Sequence, residues 1–144
     1  MTSETDPFDL TRFIRAQDTV LARVRTELKE GRKASHWMWF VFPQIAGLGT
    51  STMSRHYAIG SLEEARAYLA HPVLGPRLRE CVDILLDLPP LSAHEIFGSP
   101  DDRKLHSSLT LFAQAAPGET LFTRALERYF SGAADMATLK LLET

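Results

Sequence analysis

The stretch PFDLTRFIRAQDTVLARVRTELKEG, residues 7–31, decides the fold class. Its apolar side chains, Leu10, Phe13, Ile14, Val20, Leu21, Val24 and Leu28, recur at helical spacing. Asp6 is placed to cap the first turn, and Pro7 suits the first helical position, where no N–H is needed. Gly31 is a natural C-terminal stop. The pattern predicts one helix over about residues 7–30.

The same grammar continues outward. Ser51 is placed to cap a short helical stretch through Ile59. Ser61 and Glu64 form a capping box ahead of Leu62, Ala65 and Leu69. A stripe from Val73 to Leu88 ends at Pro89-Pro90. Ser92 and Glu95 make a second box before Gly98. Ser99-Pro100-Asp101-Asp102 opens a helix with an inner face of Leu105, Leu109, Phe112 and Ala116. Further helices are predicted from Thr120 to the residue before Gly132 and from Asp135 to Leu142. No useful two-residue alternation occurs. The expectation is an all-α, compact single domain over 7–144 with about six helices and a flexible tail at 1–6. One irregular or extended segment is expected near 36–50, extended at 38–42.

Composition sets the outer bounds. The chain has 144 residues, 44% hydrophobic and 24% charged, which is ordinary globular usage. A net charge of −2 argues against bulk nucleic-acid binding. No apolar run reaches the roughly 20 residues of a membrane span. MTSETDPFDL has no apolar signal core, so a soluble, cytoplasmic protein is expected. The single Cys81 excludes an internal disulfide. His36, His56, His71, His94 and His106 include no pair at metal-binding i, i+4 spacing. No metal or cofactor is expected.

Chemistry concentrates in RKASHWMWFVFPQIAGLGTS, residues 32–51. Four of the thirteen aromatic residues, Trp37, Trp39, Phe40 and Phe42, fall within six positions. Such rings serve as core plugs or as walls of ligand pockets. If the segment is extended, Trp37 and Trp39 share one face. Lys33, Ser35, His36 and Gln44 supply polar groups beside them. Gly47, Gly49 and Ser51 precede a helix start, where backbone N–H groups could meet an anion, although a flexible turn and cap is the better explanation of them. On the helix from Asp101, the side chains of Asp101, Lys104 and Ser108 share a flank, with Ser107 adjacent. Charge is uneven: residues 12–33 carry seven Lys or Arg against three acids, and residues 80–102 carry six acids and no Lys or Arg. A cationic end leading into tryptophans suits an anionic or nucleotide-like small molecule.

GRKASHWMWFVFPQIAGLGTS, HPVLGPRLREC, IFGSPDDRKLHSSLTLF and YFSGAADMATLKLL together resemble the family called domain of unknown function 1810. The resemblance runs from about Phe8 to Leu142. It implies a small, mainly helical domain of soluble bacterial proteins, and of some eukaryotic ones, and brings no established activity. Members sometimes carry the label calpastatin, which nothing in these residues supports. A second, fainter resemblance, to NADAR-type N-glycosidases, rests on the cationic GRK stretch near a tryptophan and a late helix rich in Asp and Lys.

Three functions follow from these residues. The first is an enzyme on a nucleotide-like or ADP-ribose-like molecule, with N-glycosidic hydrolysis as the reaction, Asp101 and His36 as catalytic groups, and Lys104 or His36 orienting. The second is a non-catalytic nucleotide or small-anion binding module using the same groups. The third is a protein-interaction domain with an exposed tryptophan patch; no particular protein partner is indicated.

Overall fold

The computed structural model describes residues 6–143. The tail expected at 1–6 lies outside the described residues except for Asp6. Ten α-helices are found among the described residues. They are α1 Thr11–Asp18, α2 Leu21–Lys29, α3 Met38–Val41, α4 Thr52–His56 and α5 Leu62–Ala70. They continue with α6 Leu74–Leu86, α7 Ala93–Phe97, α8 Asp101–Ala115, α9 Thr120–Phe130 and α10 Met136–Leu142. The all-α class holds; beyond the helical stretches read from the sequence, the one predicted over 7–30 divides and the turn at Met38–Val41 is helical, so the count exceeds six.

The predicted helix over 7–30 is two helices. Asp6 is not the N-cap and Pro7 is not in the helix, which begins only at Thr11 after Leu10; the Asp6 carboxylate instead accepts from the backbone N–H of Leu10 (2.7 Å) and Thr11 (2.9 Å) at its start. The break falls at Thr19-Val20, two β-branched residues that favour helix weakly. It lets α1 pack on α3 while α2 packs on α6. Gln17, at the end of α1, turns into the core and donates to Phe40 O at 2.7 Å and to Tyr68 Oη at 3.0 Å. Gly31 ends α2 as expected, at φ +69°. Arg32 N–H reaches Glu27 O and Gly31 N–H reaches Leu28 O, the paired bonds of a Schellman cap.

The segment expected to be extended at 38–42 is instead a helical turn, with Val41 N–H on Trp37 O and Phe42 N–H on Met38 O. Helical backbone rotates successive side chains by about 100°. Trp37 and Trp39 therefore do not share a face: Trp37 is 0% exposed and Trp39 is half-buried. Beyond it, a lone parallel bridge joins Ile45 to Ile59, the one β pairing among the described residues.

Capping is otherwise close to expectation. Ser51 caps α4, and Ser92 and Glu95 form the full reciprocal box of α7. Ser61 accepts from Glu64 N–H, but the Glu64 carboxylate goes to Gly60 N–H and Arg12 instead of completing its box. Ser99 does not cap α8, which starts at Asp101 after a cis Ser99–Pro100 peptide. Asp135 caps α10 through Thr138.

Helix α8 is the axis of the molecule, touching α5, α7, α9 and α10. Every residue from Ser107 to Phe112 is buried, so the single inner face expected from its sequence becomes an all-round one. Around it sit two aromatic groups. Trp37, Phe42 and Phe97 form one, with centroids 6.0–6.4 Å apart. Phe13, Tyr68, Phe112 and Phe122 form a chain of ring contacts in the other. Arg128 and Tyr129 of α9 close the end of α6 by donating to the carbonyls of Leu86, Leu88 and Pro89 and of Leu85. Burial pushes the Cys81 thiol up to about 12, so it packs as a hydrophobe. No helix among the described residues is long and apolar enough to cross a membrane.

Candidate functional site

The site is organised by a residue that the sequence does not single out. Glu27 lies on the inner side of α2 beside Val24 and Leu28 and is 7% exposed. Its Oε1 accepts from Ala34 N–H (2.8 Å), Ser35 N–H (3.1 Å) and Trp37 Nε1–H (2.8 Å). Its Oε2 accepts from Ser35 Oγ at 2.6 Å. Burial alone would push this carboxyl up. The donors, led by Ser35 Oγ and Ala34 N–H, outweigh burial and hold it down at about 2. Glu27 thus bends the chain after Gly31 into a fixed turn and pins Trp37 in the core. Only its place in a buried stripe hints at this in the sequence.

That turn presents Lys33. Its backbone N–H bonds to Ile96 O at 2.8 Å, which ties it to α7. Its Nζ donates to Ser35 O at 2.6 Å and lies 5.1 Å from the Trp37 ring centroid. The same Nζ is 2.8 Å from Asp101 Oδ2, and the Lys33 side chain is only 8% exposed. Asp101 opens α8, where a carboxylate is favoured by the helix dipole. Its other oxygen lies 3.8 Å from Lys104 Nζ, one turn on. Lys104 in turn sits 5.2 Å from the Trp39 ring centroid. Two ammonium groups therefore meet the Asp101 carboxylate over two indoles, with the ionised Glu27 bound to Ser35 and Trp37 beside them.

Of the residues predicted for the site, Lys33, Ser35, Trp39, Asp101 and Lys104 are brought together. Trp37 belongs to the core, as the post under Lys33, and is not a ligand wall. His36 is exposed and makes no hydrogen bond or ion pair to Asp101 among the described residues. Gln44 is half-buried and uses its carbonyl in the bridge to Ile59. Gly47, at φ +106°, lies against Leu141, and a Cβ on Gly49 would sit 2.4 Å from Ser54 Cβ. Ser51 serves the cap of α4. These three make a packed turn with no hydrogen bond to the Lys33 cluster among the described residues. Ser107 donates to Arg103 O and Asp135, holding α10 in place. Ser108, 1% exposed, lies one turn beyond Lys104 on the same flank. Its Oγ is the one buried side-chain polar atom without a hydrogen-bond partner among the described residues.

A patch made of both tryptophans does not form. The large hydrophobic side chains exposed among the described residues are Met53 and Met136. No group of three His, Cys, Asp or Glu side chains among the described residues is placed to hold a metal ion. An open cleft of about 380 Å³ lies beside α1 and the end of α4, and none of the predicted site residues lines it. Its Arg and aromatic residues were legible only as unrelated helix positions and a neighbouring His-Tyr pair.

Among solved structures, the chain is similar to a conserved hypothetical protein, Rv1873, from Mycobacterium tuberculosis. The two are 52% identical over 96% of this chain and 99% of that one, with a TM-score of 0.95. No curated protein matches. The family model described as protein of unknown function, DUF1810, matches residues 7–142, nearly the whole chain. The chain therefore belongs to the DUF1810 family of proteins of unknown function.

Proposed function

We propose that the domain binds a small anionic, nucleotide-like molecule at the cluster of Lys33, Lys104, Asp101 and Trp39. The observation that carries this reading is the pairing of Lys33 with Asp101, sixty-eight positions apart in the chain, at 2.8 Å with Lys104 alongside. Glu27 is committed to Ala34, Ser35 and Trp37, and Asp101 to Lys33 at 2.8 Å, which leaves Lys104, 3.8 Å from Asp101, as the ammonium that attracts an anion. Lys104, Trp39 and Asp101 are the partly exposed members; Lys104 meets the ligand's phosphate with its amine and Trp39 lies along its ring. Lys33 is held more deeply and sets the position of Asp101.

N-glycosidic hydrolysis is the second reading. It is favoured by the single carboxylate at the centre of the cluster, the group such chemistry needs to stabilise a cationic sugar or to activate water. Calorimetric titration with AMP, ribose 5-phosphate and ADP-ribose tests binding, and chromatography of the AMP and ADP-ribose mixtures tests for release of adenine. The expected result is saturable binding that Lys104→Ala and Trp39→Ala each weaken by roughly tenfold or more. Binding without product assigns a binding module. Product that disappears in Asp101→Asn assigns a hydrolase. Absence of binding to all three compounds, or unchanged binding by both variants, refutes the site.

A further inference from the structure

The open cleft beside α1 has its own chemistry, independent of the Lys33 cluster. It is lined by Asp9, Arg12, Arg15, Ala16, His56 and Tyr57 and has a volume of about 380 Å³. That is the lower end of the range for small-molecule pockets, roughly 300–1,000 Å³.

Arg12 builds the cleft and does not serve it. Its Nε donates to His56 O (2.9 Å), and its Nη1 to Phe8 O (2.6 Å) and Asp9 O (2.8 Å). Its Nη2 donates to Ala58 O (2.8 Å) and pairs with buried Glu64 at 2.9 Å. The guanidinium thus rivets the His56–Ala58 loop to α1 and has its charge answered. Asp9, held at φ +52° with its carbonyl on Arg12, is one of the residues that line the cleft.

The remaining groups are uncommitted. Arg15 and the Asp9 carboxylate are both exposed, and neither makes an ion pair or side-chain hydrogen bond among the described residues. They line one cleft with opposite charges and do not pair with each other. Tyr57 is half-buried between Phe13 and Phe40, and His56 stands edge-on to its ring at 4.6 Å. The Tyr57 hydroxyl likewise has no hydrogen-bond partner among the described residues. A guanidinium, a carboxylate and an aromatic wall around one small cleft match a ligand with both charges and an apolar body.

We infer that this cleft binds a free aromatic α-amino acid. Arg15 takes the ligand carboxylate in a bidentate pair, Asp9 takes its ammonium, and Tyr57 with His56 packs the side chain. A ligand with one charge only would leave Asp9 or Arg15 opposed or unanswered, so both charges are required.

The test is an amide chemical-shift titration of the full chain with L-phenylalanine. Phenylpropionate, which lacks the ammonium, and phenethylamine, which lacks the carboxylate, serve as comparisons. Saturable shifts at Asp9, Arg15, Ala16 and Tyr57 are expected, with both comparison compounds at least roughly tenfold weaker. Arg15→Ala and Asp9→Asn are each expected to weaken L-phenylalanine roughly tenfold or more; both side chains are exposed, and asparagine tolerates the positive φ. The inference is overturned if L-phenylalanine moves none of these amides up to about 10 mM, if either comparison compound binds as well, or if both variants bind as wild type does. Lys104→Ala is expected to leave this titration unchanged, which separates it from the nucleotide site.

Discussion

Replacing Glu27 by glutamine tests how the aromatic turn is held. The wild-type carboxylate accepts four hydrogen bonds, from Ala34, Ser35 (twice) and Trp37. They bring its carboxyl from 4.5 to about 2, against the opposing push of burial. At about 1.4 kcal/mol per pH unit, that difference stabilises the folded chain by about 3 kcal/mol. The sign follows from the direction. A carboxyl whose folded value lies below its unfolded one contributes fully above the unfolded value, and the contribution fades as pH falls through the folded one. The stabilisation is therefore complete at pH 7 and is lost between about pH 5 and pH 2. Glutamine keeps the shape but has no charge, and it turns a donor amide toward groups that are themselves donors. Urea unfolding of both proteins at pH 7, 5 and 3, followed by Trp37 and Trp39 fluorescence, isolates this group, because every other carboxyl is common to the two. The Glu27→Gln variant should be less stable by about 3 kcal/mol at pH 7, and the gap should hold to about pH 5 and be clearly narrower at pH 3. A gap that stays constant from pH 7 to pH 3, or that is under about 0.5 kcal/mol at pH 7, refutes the reasoning.

Three further outcomes are expected. Asp101→Asn leaves the deeply set Lys33 ammonium facing a neutral amide oxygen in place of a carboxylate, and should lower stability by about 1–3 kcal/mol in urea unfolding, less than a fully buried pair because Asp101 is partly exposed. Gly31→Ala places a Cβ 2.8 Å from Leu91 Cδ1 at a backbone φ of +69°, and calorimetry should show a loss of about 1–2 kcal/mol. Ser108→Ala removes a buried hydroxyl without a partner and should raise the midpoint of thermal unfolding, by about 1 kcal/mol in stability; a clear loss would mean that the hydroxyl has a role its surroundings do not reveal.

Much of the fold was legible because helices speak through neighbours three and four residues away. The stripe of α6, the box of Ser92 with Glu95 and the stop at Gly31 are all local agreements, and each appears where expected. The site was half legible. Lys33, Trp39, Asp101 and Lys104 stood out as residue types and do converge, but His36, Gly47, Gly49 and Ser51 stood out as well and make no hydrogen bond or ion pair with that cluster among the described residues. Nothing in the sequence separates the two sets, since a lysine beside tryptophans reads alike whether or not a distant aspartate meets it.

The chain's own order of residues determined the all-α class, most helix ends and the concentration of aromatic rings at 37–42. Local hydrogen bonding and side-chain periodicity need no knowledge of the rest of the molecule. Tertiary structure alone decided where α1 parts from α2, because each half packs on a different partner. It decided that 38–41 coils instead of extending, in a turn set up by the Glu27 carboxylate on α2. It also set Lys33 against Asp101 and left Asp9 and Arg15 apart in one cleft. These outcomes depend on contacts closed across tens of residues, and a pattern of period 3.6 carries no information about which distant side chain will arrive.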